Sequence, residues 1–541
     1  MSPAADSAGR ARITLPRPHP IVAASGLLAL VPVVRMAAWV VGGSRVQYAD
    51  YWLIFDQTWG PSGRPTVGRL IELYNGHLMA VPKVLYWLNV EVFGGSNVTL
   101  GFVVIAMALA IVGILVALAP RHGVHPAVTG AVVVATAALV FTPRGAWSYL
   151  LSMSGAAWLP ANLLAVVALA LDGPRLRRAA ASTAAGLLAV LSYGTGLMVL
   201  PAVVVAGLAR DGRPRRHHAP PAAAGIAALV WYQVARPDRG VPRPGPIDVL
   251  KGTMTLIGGT VVDDPGRARL LGFALVAAVL VLGVLAVRTG ARHVAPWIGV
   301  GVYGLAASAM IAYGRLGFSD LVESRYVCIG GLVWIAAVGL AATVVGRGRP
   351  WVAVPLVLLA LVMALDGGSV VDRVRERDLA QEELANAQAA GVSEGGTRWI
   401  GLGVPMPEIE DRLRRAGHHP YDGRWSNGCG VERVADSDLR PVEGSDLRAH
   451  ASVPETSDLP DGVLMTGFID AGDRDVTCLV AVDADGEVVG AGTYGWPRLT
   501  LEGGEAANGI RVVAPRGTGP LRVVFRVAGS DDLYAVAVRG T

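Results

Sequence analysis

Charged, aromatic and amide side chains are concentrated in the stretch YADYWLIFDQTWGPSGRPTVGRLIELYNGHLMAVPK, residues 48–83. Asp50 is the first candidate for chemistry, because one positioned carboxylate can act as a general base toward a hydroxyl group. An ionised carboxylate costs about 2.5–3.5 kcal/mol at the centre of a membrane helix and less near its ends. Its place beside Tyr51 and Trp52 therefore suggests a function. The alternative is that Asp50 only caps a short helix while the aromatic residues form an interfacial belt.

A second group of polar residues follows in LIELYNGHLMAVPK. On a helix, Glu72 and Asn75 would share one face, although Gly76 favours a break or turn after them. His77 can donate a hydrogen bond to a phosphate or move a proton near neutral pH. The alternative is that His77 is a hydrogen-bonding loop residue. Together with Lys83, these side chains are predicted to bind substrate.

Arginines mark the mouths of two neighbouring apolar runs in YGRLGFSDLVESRYV. Arg315 and Arg325 can each bind a phosphate with two parallel hydrogen bonds, because the guanidinium group is planar. Arg144, in TPRGAW, is predicted to converge on the same place. Glu323 completes the predicted substrate-binding group. The alternative is that these arginines extend toward the membrane surface and that Glu323 pairs with Arg325 or Arg315.

The composition predicts an integral membrane protein. The chain has 541 residues, of which 52% are apolar and 16% are charged, and its mean hydropathy is +0.47. Apolar runs of about 17–22 residues match the length that crosses the hydrocarbon core of a bilayer. Although the net charge is +5, many arginines lie in short loops between these runs, so a nucleic-acid partner is not predicted. Neither a metal-ligand pattern nor a nucleotide-binding loop is recognisable, and no metal or cofactor is predicted.

We divide the sequence into a polytopic transmembrane domain at 1–366, a helical linker at 367–395 and a β-rich domain at 396–541. The predicted membrane spans are residues 21–42, 98–119, 126–142, 152–171, 219–235, 269–287, 294–313, 326–346 and 350–366. Residues 180–208 have basic loops at both ends and contain Gly194, Gly196 and Pro201. Two half-helices that enter the bilayer and return would suit this segment. The alternative is one long tilted helix.

Short basic loops determine the predicted orientation. RHGVH, GPRLRR, RDGRPRRHH, RTGARH and GRGRP separate the spans, and such loops remain in the cytoplasm. The N-terminus is then cytoplasmic, while residues 43–97 and the C-terminal domain are extracytoplasmic. We therefore predict a multi-pass protein of the cell membrane, in contact with membrane lipids, whose polar chemistry faces outward.

The C-terminal domain has the pattern of an antiparallel β-sandwich. Short alternating stretches such as VTCLVAVDADGEVVGAGTYG are separated by glycine-containing turns. An amphipathic helix is predicted before them at 407–417. Cys429 and Cys478 can form a disulfide in an oxidising compartment. Aromatic side chains that either bind carbohydrate or fill the core are Trp425, Tyr494 and Trp496.

An acid in the first outward loop, many spans joined by short inner loops and an outward soluble tail together resemble the GT-C class of membrane glycosyltransferases. The closer similarity is to actinobacterial wall-polysaccharide transferases of that class. The resemblance implies a polyprenyl-phosphate sugar donor, a glycan or lipid acceptor outside the membrane, and no cofactor. It assigns the role of base or acceptor-binding group to Asp50, with Asp56 in reserve. Many members have two acids side by side here, whereas alanine precedes the aspartate in ADYW.

Two other functions fit the same sequence. A transporter or flippase for a lipid-linked sugar would share the broken segment and the outward arginines, but internal repeats are expected for it, and none is recognisable. A non-enzymatic scaffold for wall assembly would use only the C-terminal domain to hold polysaccharide, and Asp50 would then be dispensable.

Overall fold

The computed structural model combines a helical bundle with a C-terminal β-domain. It describes residues 19–47, 50–59, 65–119, 123–235, 244–289, 292–316, 321–392, 425, 428–442, 446–454, 459, 461–496 and 508–539. The predicted helix at 407–417 lies outside this set.

Eighteen α-helices fall within the described part of the chain. In order they are α1 Pro20–Leu28, α2 Leu30–Val41, α3 Asp50–Trp59, α4 Val67–Ile71, α5 Ala80–Phe93, α6 Asn97–Ala117, α7 Pro126–Val140, α8 Trp147–Leu150, α9 Ser152–Leu171, α10 Leu176–Val190, α11 Val199–Asp211, α12 Ala219–Ala235, α13 Pro246–Gly258, α14 Pro265–Arg288, α15 Ala295–Arg315, α16 Val327–Val344, α17 Ala353–Leu365 and α18 Gly368–Ala389. Short 3-10 turns at 143–145, 194–198 and 324–326 join several of them.

Nine helical stretches of the described residues are long and apolar enough to cross a membrane. They are Pro20–Val41, Asn97–Ala117, Pro126–Gly145, Ser152–Leu171, Gly194–Asp211, Pro265–Arg288, Ala295–Arg315, Ser324–Val344 and Pro350–Ala387. Eight of them overlap predicted spans. The ninth lies in the segment 180–208, and the predicted span at 219–235 is instead the 17-residue helix α12. The helical, multi-span character predicted from the sequence is thus present.

The segment 180–208 is broken, as predicted, and its turn lies at one end of the bundle. Helix α10 has 15 residues, which span about 22 Å, and α11 returns beside it. The turn between them brings Tyr193 against His77 and Arg315. It therefore reaches the end of the bundle at which α7 and α15 terminate. We call this the site end.

Helix starts follow local sequence signals. Asp264 accepts a hydrogen bond from the backbone N–H of Arg267 at 2.8 Å, and Pro265 occupies the first turn of α14. Ser96 caps α6 in the same way through Thr99. Both residue types satisfy or remove amide groups that have no partner at a helix N-terminus.

The C-terminal domain is one closed sheet in place of the two stacked sheets predicted. Its strands are β3 Leu439–Pro441, β4 Arg448–Ser452, β5 Gly462–Asp470, β6 Val476–Val482, β7 Val488–Trp496, β8 Asn508–Pro515, β9 Arg522–Val527 and β10 Leu533–Arg539. The order β10-β4-β5-β8-β7-β6-β9 returns to β10, which pairs antiparallel with β9. This gives a seven-stranded barrel-like ring, with β3 added in parallel to β10.

A disulfide and an apolar interior hold the ring together. Cys429 and Cys478 are bonded, with their Cα atoms 5.0 Å apart, so the pairing predicted from the sequence is present. Alternate side chains of the strands are fully buried, including Met465, Val512 and Phe525. This period of two is the pattern from which the strands were predicted.

Helix α18 connects the bundle to the ring and corresponds to the predicted linker. Val371 and Val374 are buried against the bundle. Farther along the helix, Glu383 accepts a hydrogen bond from Arg511 of β8 at 3.3 Å. The linker is therefore packed on both domains and places the β-domain at the site end.

Candidate functional site

Asp50 is the first residue of α3 and lies half-buried at the site end. Buried side chains fix the rest of this helix: Tyr51, Trp52, Ile54, Phe55 and Trp59. Tyr51 accepts a hydrogen bond from the Asn89 side chain at 3.3 Å, and Trp52 donates one to the carbonyl of Gln47 at 3.2 Å. Asp50 lies in the first turn of α3, where a carboxylate also favours the helix N-terminus, so its position agrees with both the catalytic interpretation and a role at the helix start. Asp56 belongs to α3, but its side chain lies outside the described residues.

Asn75 and His77 belong to a tight hairpin. Helix α4 ends at Ile71, and strands β1 (Leu73–Tyr74) and β2 (His77–Leu78) pair around Asn75-Gly76. Asn75 has φ +49°, the left-handed conformation that Asn-Gly turns require. The predicted helical face shared by Glu72 and Asn75 was therefore wrong, whereas the predicted turn at Gly76 is present. Glu72 lies exposed at the end of α4.

An aromatic stack joins this hairpin to the helical bundle. The His77 ring stacks on the Tyr193 ring, with centroids 4.6 Å apart. The centroid of the Trp158 ring, on α9, lies 4.1 Å from that of Tyr193. Trp158 also meets Tyr326 edge to face at 5.8 Å. Such contacts contribute about 0.5–1.5 kcal/mol each beyond the buried area. Four separate parts of the chain are thereby held together at the site end.

Two of the predicted arginines lie near the predicted base. Burial raises the pKa of Asp50 above the ordinary 3.8, while the positive charges of Arg325 and Arg315 act in the opposite direction. Arg315, the last residue of α15, lies near Tyr193, and both residues line one cavity. Burial raises the pKa of Tyr193 to about 12, and the Arg315 charge opposes this shift. We call Asp50, Tyr74, Tyr193, Arg315 and Arg325 the reaction cluster.

Tyr74 joins this cluster through its position in the hairpin. Burial raises the pKa of its hydroxyl, and the negative charge of Asp50 raises it further. Arg325 forms an ion pair with Glu323 at 2.5 Å, the pairing given as an alternative from the sequence. Its guanidinium also lies 5.2 Å from the Tyr326 ring. The pair orients Arg325 and offsets its charge, so Asp50 and Arg315 supply the remaining opposite charges of the cluster.

A cavity of about 170 Å³ opens beside the reaction cluster. Its walls include Asn75, His77, Trp158, Tyr193 and Arg315. Aromatic side chains with a few polar groups are the usual lining of a small-molecule site. The hairpin, the α10–α11 turn and the end of α15 thus enclose a space in which a cation, an imidazole and aromatic faces meet.

Lys83 has a structural position that differs from its predicted role. Its side chain is fully buried, and its ammonium donates hydrogen bonds to the carbonyls of Arg69 at 2.7 Å and Glu72 at 2.9 Å. Burial lowers the pKa of Lys83 to about 8, against the attraction of Glu72. Since these two carbonyls end α4, Lys83 supports the start of the hairpin.

Arg144 does not belong to the reaction cluster. It is buried and forms ion pairs with Asp263 at 2.5 Å and Asp366 at 2.9 Å. It also donates to the carbonyl of Gly259 at 3.3 Å. These contacts connect the turn after α7 with the ends of α13 and α17. The expectation that Arg144 would bind the same phosphate as the other arginines is therefore replaced by a role in fastening helix ends.

The tail aromatics pack in different surroundings and do not form one shared platform. Trp425 packs against the apolar cluster that contains the disulfide, and Tyr494 packs against the main core of the ring. The Trp496 ring is covered by the Arg511 guanidinium at 4.1 Å. The core-filling alternative describes Trp425 and Tyr494 better than a carbohydrate platform does.

One group of metal-ligand residue types lies near the opposite end of the bundle, within the described residues. Donor atoms of Asp211, His217 and His218 are all within 4.8 Å of one another. The Asp211 carboxylate is hydrogen-bonded to both imidazoles at 2.7 and 3.0 Å, and Arg210 contacts it as well. His218 Nδ1 accepts from the backbone N–H of Arg215. Hydrogen bonds thus already use the atoms that would bind a metal.

Several site residues were missed from the sequence. Tyr193 was noticed only for the glycines that follow it, and Trp158 was assigned to a membrane span. Tyr74 and Tyr326 were not distinguished from other interfacial aromatics. The YNG sequence did contain a usable signal, because Asn-Gly between two short apolar stretches favours a hairpin.

Comparisons with known proteins give no further assignment. No family model matches the chain, and no curated protein or solved structure is significantly similar to it. The functional proposal must therefore come from the arrangement of the side chains.

Proposed function

We propose that the chain is a GT-C-like membrane glycosyltransferase that moves a sugar from a polyprenyl-phosphate donor to an extracytoplasmic glycan or lipid acceptor. The observation that carries the proposal is the proximity of Asp50 to Arg315 and Arg325, at one end of a bundle of membrane-length helices. A partly buried carboxylate supplies the base, and guanidinium groups suit a phosphate leaving group.

The chemistry requires one displacement. Asp50 accepts the proton of the acceptor hydroxyl while the hydroxyl oxygen bonds to the anomeric carbon. The bond from that carbon to the phosphate oxygen breaks, and the electron pair leaves with the phosphate. Arg315 and Arg325 stabilise the negative charge that develops there. Attack from the opposite side inverts the anomeric centre.

The location of the reaction cluster also fits this substrate pair. A polyprenyl phosphate has its chain in the bilayer and its charged group at the surface, whereas a glycan acceptor comes from water. A site at the ends of membrane-length helices is open to both. The short basic loops near the other end favour a cytoplasmic position for that end, and this supports an extracytoplasmic position for the reaction cluster.

The test is sugar transfer by the full chain reconstituted in lipid nanodiscs. A panel of labelled polyprenyl-phosphate sugars is supplied with wall glycan acceptors, and release of polyprenyl phosphate is measured. We expect Asp50→Asn to lose at least about 100-fold of the rate, the typical contribution of a general base. Asp248→Asn, at an exposed acid of α13, is the matched control and should retain the rate.

Two results would refute the proposal. One is full activity of Asp50→Asn at normal abundance. The other is movement of a fluorescent lipid-linked sugar between leaflets by wild type and Asp50→Asn alike, without transfer, which would favour the flippase. Polysaccharide binding without transfer or lipid movement would favour the scaffold.

A further inference from the structure

A second cavity, larger than the first, lies between the bundle and α18 at the site end. Its volume is about 410 Å³. Arg325 contributes to its wall from one side, while Arg373 and Arg377 contribute from α18. Because Arg325 also belongs to the reaction cluster, this arginine cavity adjoins the proposed centre of sugar transfer.

The cavity has an excess of positive charge. Three guanidinium groups and one carboxylate, that of Glu323, line it. Glu323 is already paired with Arg325. Among the described residues, no carboxylate lies within ion-pair distance of Arg373. Asp372 and Glu376 neighbour these arginines on α18 and are exposed, as Arg373 and Arg377 are. Neither of these acids, nor the buried Asp378, lines the cavity.

Contacts between α18 and the bundle hold Arg373 and Arg377 in position. Arg373 and Arg377 are four residues apart, so they share a helix face, where two like charges repel. Val374 on the same helix is buried and anchors this face to the bundle. The Arg377 guanidinium lies over the Trp147 ring at 4.5 Å, a contact that fixes its plane. Ser324 adds a hydroxyl to the wall.

We propose that this arginine cavity binds an anionic group of the acceptor, and that the acceptor is therefore a negatively charged glycan carrying carboxylate or phosphate groups. The identification of the bound anion as part of the acceptor rests on the proposed function, whereas anion binding itself can be tested separately. Side-by-side guanidinium groups match the oxygens of such groups. A glycan is favoured over a lipid headgroup because α18 follows the last apolar helix and leads to the β-domain.

Binding is measured on the full chain in nanodiscs of neutral lipid, without a sugar donor. The probes are a galacturonate oligosaccharide, a neutral malto-oligosaccharide of equal length and inorganic phosphate. We expect the galacturonate to bind, the neutral sugar not to bind, and phosphate to compete. The double variant Arg373→Gln/Arg377→Gln should lose about tenfold or more in affinity, as expected when charge-assisted hydrogen bonds are removed.

Arg375→Gln is the matched control, because Arg375 is exposed on the same helix and does not line the cavity. It should bind like the wild type. The single variant Arg373→Gln replaces the double variant if the latter does not fold. Equal binding by wild type and the cavity variants would overturn the proposal. Binding only to nanodiscs that contain phosphatidylglycerol would overturn it as well, because it would identify a lipid headgroup site.

The two proposals can fail independently. Asp50→Asn should bind the galacturonate with unchanged affinity while losing transfer. Transfer to neutral acceptors, with no galacturonate binding, would retain the proposed function and refute the anion site. Galacturonate binding that depends on Arg373, without transfer, would retain the anion site and refute the proposed function.

Discussion

At the scale of single residues, the proposed site depends on the pKa of the Asp50 carboxyl group, on which burial and nearby positive charge act in opposite directions. Burial raises the pKa of Asp50 more strongly than Arg325 and Arg315 lower it. A base whose pKa is raised toward neutral accepts a proton more readily. Burial thus gives an ordinary aspartate a stronger basicity.

This balance predicts an effect of pH on stability. The carboxyl has a higher pKa when folded than when unfolded, so its contribution to stability is complete below the unfolded pKa and is lost as pH rises through the folded pKa. Asp50→Asn has no such loss. The melting temperature of Asp50→Asn relative to wild type should therefore increase as the pH rises above about 4, the pKa of an unfolded aspartate. A constant difference in thermal unfolding across this range would contradict the prediction.

For Lys83, the effect of pH on folding stability has the opposite sign. Its folded pKa of about 8 lies below the ordinary 10.5, so the unfolded chain binds more protons between these values and stability rises with pH there. Lys83→Met should lack this rise. It should also weaken the fold by about 1–3 kcal/mol, because two buried carbonyls lose their donor. Thermal unfolding as a function of pH and amide exchange of residues 69–78 measure both effects.

At the scale of secondary structure elements, turns determine which side chains meet. Tyr193 reaches His77 only because α10 and α11 approach closely at the turn. A Cβ atom added to Gly196 would lie 1.9 Å from the carbonyl oxygen of Ala189, a distance that backbone atoms cannot accommodate without moving.

Gly196→Ala should therefore open this turn and displace Tyr193 from His77. We expect loss of sugar transfer, with the β-domain unaffected. Gly113→Ala is the control, since nothing lies within 4 Å of a Cβ atom at that position of α6. Tyrosine and tryptophan fluorescence, compared with transfer rates, measures the displacement. Normal transfer by Gly196→Ala would show that the turn does not position the cluster.

The elements were easier to predict than their contacts. Apolar runs of membrane length gave the helices, because hydropathy alone determines what a bilayer accepts. The grouping of Asp50 with Arg315 and Arg325 followed from their common position at span ends. Arg144 has the same kind of position, yet it pairs with Asp263 and Asp366. A one-dimensional pattern does not tell which carboxylates lie nearest, and the stacking of His77 on Tyr193 depends on three-dimensional packing in the same way.

At the scale of the whole molecule, the disulfide is expected to hold the β-domain independently of the bundle. Cys429 and Cys478 close a loop of 49 residues, for which chain entropy gives about 4 kcal/mol. The double variant Cys429→Ser/Cys478→Ser should unfold the ring at lower temperature, with the bundle transition unchanged. Amide exchange in β6 distinguishes the two domains. An unchanged ring transition would contradict the estimate.

The circular order of the ring has a consequence for how these molecules coexist. Because β10 is paired with β4 on one side and β9 on the other, the seven described strands of the ring present no open row of amides and carbonyls. Unpaired strand borders template the addition of strands from other chains. Proteins that diffuse in the plane of a membrane collide often, so closure allows crowded neighbours to pass one another without polymerising through their β-domains.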